Sequence, residues 1–210
     1  MNTYLTERYA TRDPDRILAF VAEFPFATLI PQGEVRGALP SLPVLLDVRA
    51  GSRIVFYGHL DRENPFAVRL DRSRVTALFQ GPNGYISPRD YVSRQFPTWN
   101  YAVAQVTGVC RLVDEPDRKL AYMIRMVEDL ERHNGSDYRL DGSDNRVRRQ
   151  IDLVTFFQLE VDSVHGTFKF AQEKTVEDRV RARDRLIDKL HSGQSRAIPV
   201  LADLDPGERP

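Results

Sequence analysis

The sequence of 210 residues holds a single cysteine and no excess of charge of either sign. Cys110 has no partner for an internal disulfide, and its place in a strand-like apolar run predicts a buried, inert thiol. Lys plus Arg and Asp plus Glu number 30 each, so no net charge attracts the chain to nucleic acid or to lipid. No basic patch or recognition motif stands out, and we therefore expect no nucleic-acid partner.

Long hydrophobic runs are also missing. No stretch approaches the roughly 18 apolar residues of a membrane-spanning helix. The start of the chain has no apolar run of signal-peptide length. We expect a cytoplasmic protein with no membrane partner.

Several signatures of catalysis and binding are absent from the sequence. It has no phosphate loop of the Walker type, no GxGxxG and no GxSxG motif. No two of its four histidines have the spacing of zinc ligands. With only one cysteine in addition, we expect no structural zinc site.

The residues that are present predict a mainly β, α+β protein. Short runs rich in β-branched and aromatic residues are separated by Gly, Pro and Asn, a pattern typical of an antiparallel barrel or sandwich. We predict strands at 26–30, 42–48, 53–59, 74–80, 101–113, 154–161 and 167–171.

Helices are predicted around these strands. Asp13 as N-cap and Pro14 in the first turn open one helix. A second helix begins at Pro116, and it ends at Gly135, which we expect in the left-handed conformation. The charged segment 176–190 predicts a third helix, whose charges are most simply a solvated face.

We interpret the chain as a β-barrel core with peripheral helices. No linker or repeat divides it, so we predict one domain over residues 1–190. Residues 191–210 are predicted to form a poorly ordered C-terminal tail.

The most distinctive stretch is rich in aromatic residues. Residues 81–88 and 97–101 are turn-rich, largely uncharged clusters, and exposed aromatic side chains gain nothing from contact with water. They predict either the lining of a cavity or interface, or an aromatic mini-core under a long loop. Ser87 and Asn100 supply polar groups that could orient a ligand. The aromatic side chains of this stretch are Tyr85, Tyr91, Trp99 and Tyr101.

Two further side chains are candidates for chemistry. His59, near the end of a strand, can face a cavity, and neutral imidazole is a common ligand of haem iron. The alternative for His59 is a structural hydrogen bond to a neighbouring carbonyl or carboxylate. Strand alternation places Lys169 opposite Phe168 and Phe170. Lys169 then either faces solvent or forms a cationic group at the barrel rim, able to meet a phosphate or propionate.

Seven short segments occur in a characteristic order and spacing over residues 4–190. They combine aromatic, proline and amide-bearing residues at strand ends and turns. These segments are FPFA (24–27), LPVLLD (42–47), GHL (58–60), NP (64–65), YISP (85–88), PTWNY (97–101) and KFAQ (169–172).

The ordered set resembles the PaiB-like family of FMN-binding negative transcriptional regulators, which also covers haem-dependent piperazate synthases. The resemblance implies a split β-barrel of the FMN-binding type with peripheral helices. It also implies a homodimer with a planar cofactor at the subunit interface. The family has Trp where this chain has Asp90, and Ser-Gln-Asn where it has residues 171–173. Because polar pocket positions have changed while His59 remains, the comparison favours a specialised enzyme over a generic regulator.

The resemblance further predicts haem b as the cofactor, with His59 as the metal ligand, and FMN as the alternative. The predicted reaction joins two nitrogens of a small N-hydroxylated amino acid, such as an N-hydroxylated ornithine, into a cyclic hydrazine. Lys169 and Tyr91 are the predicted catalytic residues. An FMN-binding flavoprotein or reductase and a PaiB-like transcriptional regulator are the alternative functions. The predicted cofactor-binding residues are His59, Asn64, Tyr85, Ser87, Trp99, Asn100, Tyr101, Lys169 and Gln172.

Overall fold

A computed structural model describes residues 6–33, 38–47 and 53–202, with side chains for 7–33, 38–47 and 53–192. The chain forms two compact units. The barrel unit comprises the described residues of Ala10–Gln80 and Val103–Gly166. The aromatic unit comprises the described residues of Met1–Tyr9, Gly81–Ala102 and Thr167–Pro210. The single domain expected over residues 1–190 stays a prediction.

Six strands close into an antiparallel barrel, as predicted. Their order is β7-β4-β3-β2-β5-β6, and β6 pairs back onto β7, while the short β1 adds to the sheet beside β7. Closure leaves no free edge along the barrel, which removes the aggregation hazard of an open sheet. The strands are β1 (Ala10–Thr11), β2 (Phe26–Pro31), β3 (Ser41–Leu46), β4 (Val55–Asp61), β5 (Arg74–Ile86), β6 (Thr98–Val113) and β7 (Val154–Lys169).

The barrel core follows from strand alternation. On β4, Phe56 and Leu60 point into the barrel, whereas Tyr57 points to the outer face. Helix α2 (Pro14–Glu23) packs Ile17 and Val21 into the same core. The Asp13 carboxylate caps this helix as predicted, accepting hydrogen bonds from the backbone N–H groups of Asp15 and Arg16 at 3.1 and 3.4 Å.

A second cluster lies on the outer face of the barrel, under helices α3 (Pro116–His133) and α4 (Asn145–Ile151). Tyr57 of β4 stacks on Tyr122 of α3, with ring centroids 4.5 Å apart. Asp47 accepts hydrogen bonds from the Tyr122 hydroxyl at 3.0 Å and from Arg125 at 2.6 Å. Gly135 has a φ of 73°, which confirms the predicted left-handed residue after α3.

The remaining elements are short, apart from one long helix. Helix α1 spans Thr6–Tyr9, and two 3-10 helices span Ala67–Arg69 and Pro88–Asp90. Helix α5 spans Val176–Ala202. None of the described helices is both long and apolar enough to cross a membrane.

Two sequence predictions need correction, and the poor order expected for the C-terminal tail stays a prediction. Residues 81–86, interpreted as turn-rich, continue strand β5, because backbone pairing in the sheet overrides the weak turn preference of Gly and Pro. The two strands expected at 154–161 and 167–171 are one strand, β7, which ends at Lys169. The predicted tail at 191–210 begins as helix, since α5 continues to Ala202, and residues 203–210 lie outside the described chain. Residue 48 of the predicted strand 42–48 also lies outside it.

The barrel closes at a point where no side chain fits. A Cβ atom added at Gly108 on β6 would lie 2.0 Å from the carbonyl oxygen of Glu160 on β7 and 3.0 Å from the Cα of Val161. Because these obstacles are backbone atoms, no rotamer change relieves the clash. Glycine at this position is what allows the two strands to approach.

We predict that Gly108→Ala destabilises the protein by about 3 kcal/mol, because the added methyl group forces β6 and β7 apart. Urea unfolding followed by far-UV circular dichroism measures the loss. The control is Gly135→Ala, where no atom lies within 4 Å of the added Cβ and only the φ of 73° is unfavourable. That variant should lose about 1 kcal/mol. Equal losses in the two variants would contradict the proposed role of Gly108.

Candidate functional site

His59 lies on the outer face of the barrel, two residues before the end of β4. It is paired across the sheet with Phe156 of β7, and the two rings lie 5.1 Å apart. Its Nδ1 atom is buried and has no hydrogen-bond partner among the described residues. Burial lowers the pKa of His59 below its ordinary value of 6.5, so the ring is neutral at pH 7. The structural alternative for His59, a bond from Nδ1 to a neighbouring carbonyl or carboxylate, is therefore not found within the described part of the chain.

Asn64 lies in the turn that follows β4. Its side-chain oxygen accepts a hydrogen bond from the backbone N–H of Phe66 at 2.9 Å, which holds the first turn of the 3-10 helix at Ala67–Arg69. The amide oxygen therefore has a local structural role. Its predicted role in cofactor binding stays a prediction.

In the aromatic unit, strands β5 and β6 bring Tyr85 and Trp99 together. Their ring centroids lie 6.5 Å apart at an angle of 53°. The Trp99 indole donates a hydrogen bond to the side-chain oxygen of Asn83 at 3.3 Å. Both rings nevertheless stay about half exposed, Tyr85 at 44% and Trp99 at 51%. The pair is a surface feature and not the closed mini-core that the sequence offered as the alternative.

Asn100 and Tyr101 follow Trp99 on β6 and point to opposite faces. Asn100 is only 1% exposed, yet its side-chain oxygen has no hydrogen-bond partner among the described residues. Tyr101 is half-buried. A buried amide oxygen without a partner is uncommon in folded proteins and marks a position where a ligand donor fits.

Ser87 and Asp90 form a capping box around a 3-10 turn. The Ser87 backbone N–H donates to the Asp90 carboxylate at 2.8 Å, and the Arg89 N–H donates to the Ser87 hydroxyl at 3.3 Å. Asp90 also pairs with Arg185 of α5 at 3.5 Å. The aspartate that stands where the family has Trp thus stabilises a turn and its contact with α5.

The polar loop after this turn, residues 92–95, is held in place by hydrogen bonds to one buried carboxylate on α5. Asp178 is fully buried and accepts hydrogen bonds from the backbone N–H groups of Val92 at 2.7 Å and Ser93 at 3.3 Å. It also accepts from the Ser93 hydroxyl and from the Gln95 amide. The Ser93 hydroxyl bond, supported by the backbone bonds, lowers the pKa of Asp178.

The sequence interpretation missed Asp178, because the charges of 176–190 were taken for a solvated face. A signal was present in the helical spacing. Asp178, Ala182 and Leu186 recur every four residues, which places the carboxylate on the same buried face as two apolar side chains.

Tyr91 is buried beside a lysine. Its hydroxyl has no hydrogen-bond partner among the described residues. Burial, together with the charges of Glu173 and Asp178, raises the pKa of Tyr91 to about 12. The Lys174 ammonium lies 5.5 Å from the centre of the Tyr91 ring, and it donates to the Gln95 side chain at 2.7 Å. With its pKa raised in this way, the Tyr91 phenol stays protonated at pH 7.

Lys169 ends β7 and is held on two sides. Its ammonium donates to the Thr98 hydroxyl at 2.6 Å and lies 5.9 Å from the centre of the Tyr9 ring. Cation–π contacts of this kind fix the position of an ammonium group without neutralising it. Lys169 is therefore a positioned cation on a half-buried side chain, not a freely solvated one. Neither Thr98 nor Tyr9 was singled out from the sequence.

Gln172 closes the turn that follows β7. Its side chain accepts from the Phe170 N–H at 2.7 Å and donates to the Phe168 carbonyl at 2.6 Å. Ala171 between them has a φ of 59°, a left-handed conformation that a non-glycine residue adopts only when its surroundings hold it. Both polar atoms of Gln172 are thus engaged with the local backbone.

Apart from Tyr101 and Lys169, the predicted site residues fall into three groups. Polar atoms of Asn64, Ser87 and Gln172 are engaged in their own turns. Tyr85 and Trp99 form an exposed aromatic pair. Three buried polar atoms lack partners among the described residues, and all three belong to residues predicted from the sequence: His59, Tyr91 and Asn100.

A closed six-stranded antiparallel barrel with peripheral helices is the architecture of a split-barrel protein. The family described as "Putative FMN-binding domain" matches residues 3–163, and the chain belongs to this family. The chain is also 21% identical over 202 residues to protease synthase and sporulation protein PAI 2 of Bacillus subtilis (strain 168), covering 95% of this chain and 97% of that protein. These matches confirm the predicted PaiB-like family.

Two solved structures share the fold. The flavocytochrome Anf3 from Azotobacter vinelandii has a TM-score of 0.57 and 14% identity, covering 85% of this chain and 79% of that one. The FAD and haem binding protein from Mycobacterium smegmatis has a TM-score of 0.58 and 13% identity, covering 83% and 80%. Both likenesses confirm the predicted split-barrel fold.

We predict that Asp178→Ala releases the loop at residues 92–95, because it removes the shared acceptor of that loop. Trypsin should then cleave after the exposed Arg94 at least about 10-fold faster than in the wild type, since local opening controls such cleavage. The matched control is Glu177→Ala, which removes an exposed carboxylate one residue away on the same helix. Cleavage at the wild-type rate in Asp178→Ala would show that Asp178 does not anchor the loop.

Proposed function

We propose that this chain is a haem-binding enzyme in which His59 is the axial ligand of the iron. The observation that carries the proposal is the buried His59 Nδ1 without a hydrogen-bond partner among the described residues. Buried polar atoms are almost always paired, so such an atom points to an absent ligand. The lowered pKa keeps the imidazole in the neutral form that binds metal.

The polar side chains favour haem b over FMN, the alternative cofactor. FMN requires several donors around its phosphate. Ser87 and Gln172, which the sequence offered as cofactor-binding residues, already have hydrogen bonds within their own turns. Haem needs chiefly a ligand for its iron and apolar surroundings, for which His59 with Phe156 beside it is suited.

The proposed substrate is a small N-hydroxylated amino acid, and the proposed reaction joins its two nitrogens into a ring with release of water. Bound haem would supply a Lewis-acidic iron that makes the N-hydroxy oxygen a better leaving group. The chain itself has to take a proton from the attacking amine and provide one to the departing oxygen. Lys169 is the group proposed to take the first proton, and Tyr91, which is protonated at pH 7, is the group proposed to provide the second.

A homodimer with the cofactor at the subunit interface belongs to the same proposal. Segment 85–101 exposes four large apolar side chains, which a monomer would leave in water. Interfaces favour Tyr and Trp, because these bury a large area at low cost in conformational entropy. The four side chains are Tyr85 at 44%, Val92 at 54%, Phe96 at 88% and Trp99 at 51% exposure.

The first test is the absorbance spectrum of the purified protein and of His59→Ala. We expect a Soret band in the wild type and its loss or a strong shift in the variant, because the iron loses its axial ligand. The control His133→Ala, at an exposed histidine, should keep the wild-type spectrum.

Two outcomes decide against haem in this test. If His59→Ala kept the wild-type spectrum, His59 would not be a ligand of the iron. A yellow, fluorescent wild type would establish the flavin alternative, a flavoprotein or reductase. A PaiB-like regulator would instead shift the mobility of its own promoter fragment in a gel.

The second test concerns Lys169. We predict that Lys169→Met lowers kcat with an N-hydroxylated ornithine by at least about 100-fold, the usual effect of removing a general base. Thr98→Val, which removes only the hydroxyl that holds the ammonium, should lower kcat less and shift its pH profile. Full turnover in Lys169→Met with unchanged haem content would exclude Lys169 from the reaction.

A further inference from the structure

One row of side chains crosses the outer face of the barrel and contains His59. Phe26 of β2 pairs with Pro43 of β3. The antiparallel register of β3 with β4, continued by one residue, brings Pro43 beside His59. His59 pairs in turn with Phe156 of β7. Strand register therefore places four residues from four neighbouring strands side by side within the barrel unit.

Strand alternation fixes the direction in which this row points. The residues that follow or precede its members along the strands, Ala27, Val44 and Phe157, belong to the core inside the barrel. Successive side chains of a strand point to opposite faces, so the row itself faces outward. Two residues further along β2, the hydroxyls of Thr28 and Ser41 share a hydrogen bond at 2.9 Å and give the row a polar border.

The row is covered at one end and open at the other. Phe156 is fully buried in the apolar cluster under α3 and α4. His59 and Pro43 are half-buried, whereas Phe26 is 62% exposed. Apolar surface beside His59 is therefore accessible on the side of β3 and β2, because Phe156 and its cluster fill the side of β7.

Pro43 occupies a position where proline is disfavoured. Strand β3 lies between β2 and β4 in the sheet, and proline has no backbone N–H to contribute to the ladder of such a strand. Its ring instead presents rigid apolar surface between Phe26 and His59. The outer face thus gains a continuous apolar strip that leads up to the histidine.

An exposed phenylalanine alone indicates little, because much of any protein surface is apolar. Here the exposed ring shares a row with a histidine whose buried Nδ1 lacks a hydrogen-bond partner in the part of the chain that the structure describes. Apolar surface with a few unpaired polar groups is the composition of a small-molecule site. A flat aromatic ligand suits this row, because such a ligand can stack on an exposed aromatic ring.

We propose that Phe26 and Pro43 form the surface on which the planar cofactor of His59 lies, so that the cofactor extends over β3 and β2 and not over β7. This inference rests on the proposed function, in which His59 binds the iron of haem. It assigns Phe26 a role of its own, which is to hold the porphyrin by apolar contact without coordinating the metal.

The test measures how fast bound haemin leaves the wild type and Phe26→Ala, by its transfer to an excess of apomyoglobin followed by absorbance. We expect release on the order of 10-fold faster from the variant, because haemin loses its contact with a phenylalanine ring. The position of the Soret band should stay that of the wild type, since His59 is unchanged. Phe26→Tyr keeps an aromatic ring and should release haemin at close to the wild-type rate.

The control is Val68→Ala, which shortens an apolar side chain of the barrel unit that is 84% exposed and lies outside the row. It should release haemin at the wild-type rate. Urea unfolding of the haem-free proteins, followed by far-UV circular dichroism, checks that Phe26→Ala is folded. We expect it to be, because the substituted side chain is largely exposed and contributes little to the core.

Release at the wild-type rate from Phe26→Ala would overturn the placement of the cofactor over β2 and β3. Equal acceleration in Val68→Ala would overturn it as well, because the effect would not be specific to the row. If the wild type showed no Soret band with added haemin, the proposed function itself would fail, and this inference with it. The wild-type spectrum alone therefore distinguishes failure of the proposed function from failure of the inference.

Discussion

The barrel depends on the close approach of β6 and β7. At Gly108 the backbone of β7 fills the place of a side chain on β6. The two strands meet here as the sheet closes, and closure satisfies the backbone groups that an open edge would leave for another chain. The other neighbour of β7 is β4, and that pairing places Phe156 beside His59.

A different constraint organises the aromatic unit. In the loop after β5, the backbone N–H groups of Val92 and Ser93 are satisfied by the carboxylate of Asp178. A single buried acceptor that binds several donors holds a loop rigidly, because loss of the acceptor leaves all the donors unpaired at once. The inner face of helix α5 thereby orders the loop.

The sequence predicted much of the fold but less of the site. Helix caps at Asp13 and Gly135 and most strands were correct, because they depend on local preferences and on period-two patterning. The prediction of turns at residues 81–86 was wrong. The local composition favours turns, but the backbone there pairs with neighbouring strands as part of β5. The motifs, and the aromatic stretch between two of them, located His59, Tyr91 and Asn100, the residues whose buried polar atoms lack partners among the described residues. The motifs also located Ser87 and Gln172, whose side chains form hydrogen bonds within their own turns. The order of the motifs alone could not distinguish these residues from those with unpaired polar atoms.

By itself the sequence determined the family, the split barrel and the candidate residues, since these follow from the order of short motifs and from local patterning. Only the tertiary structure decided which candidates have free polar atoms, which lysine is anchored, and that Asp178 is an anchor and not part of a solvated face. Whether a polar atom is buried and hydrogen-bonded depends on neighbours that lie far away in the sequence. Asp178 and Ser93, for example, are 85 residues apart. Such neighbours are defined only once the barrel has closed and α5 has packed against the loop, so no local reading of the chain contains them.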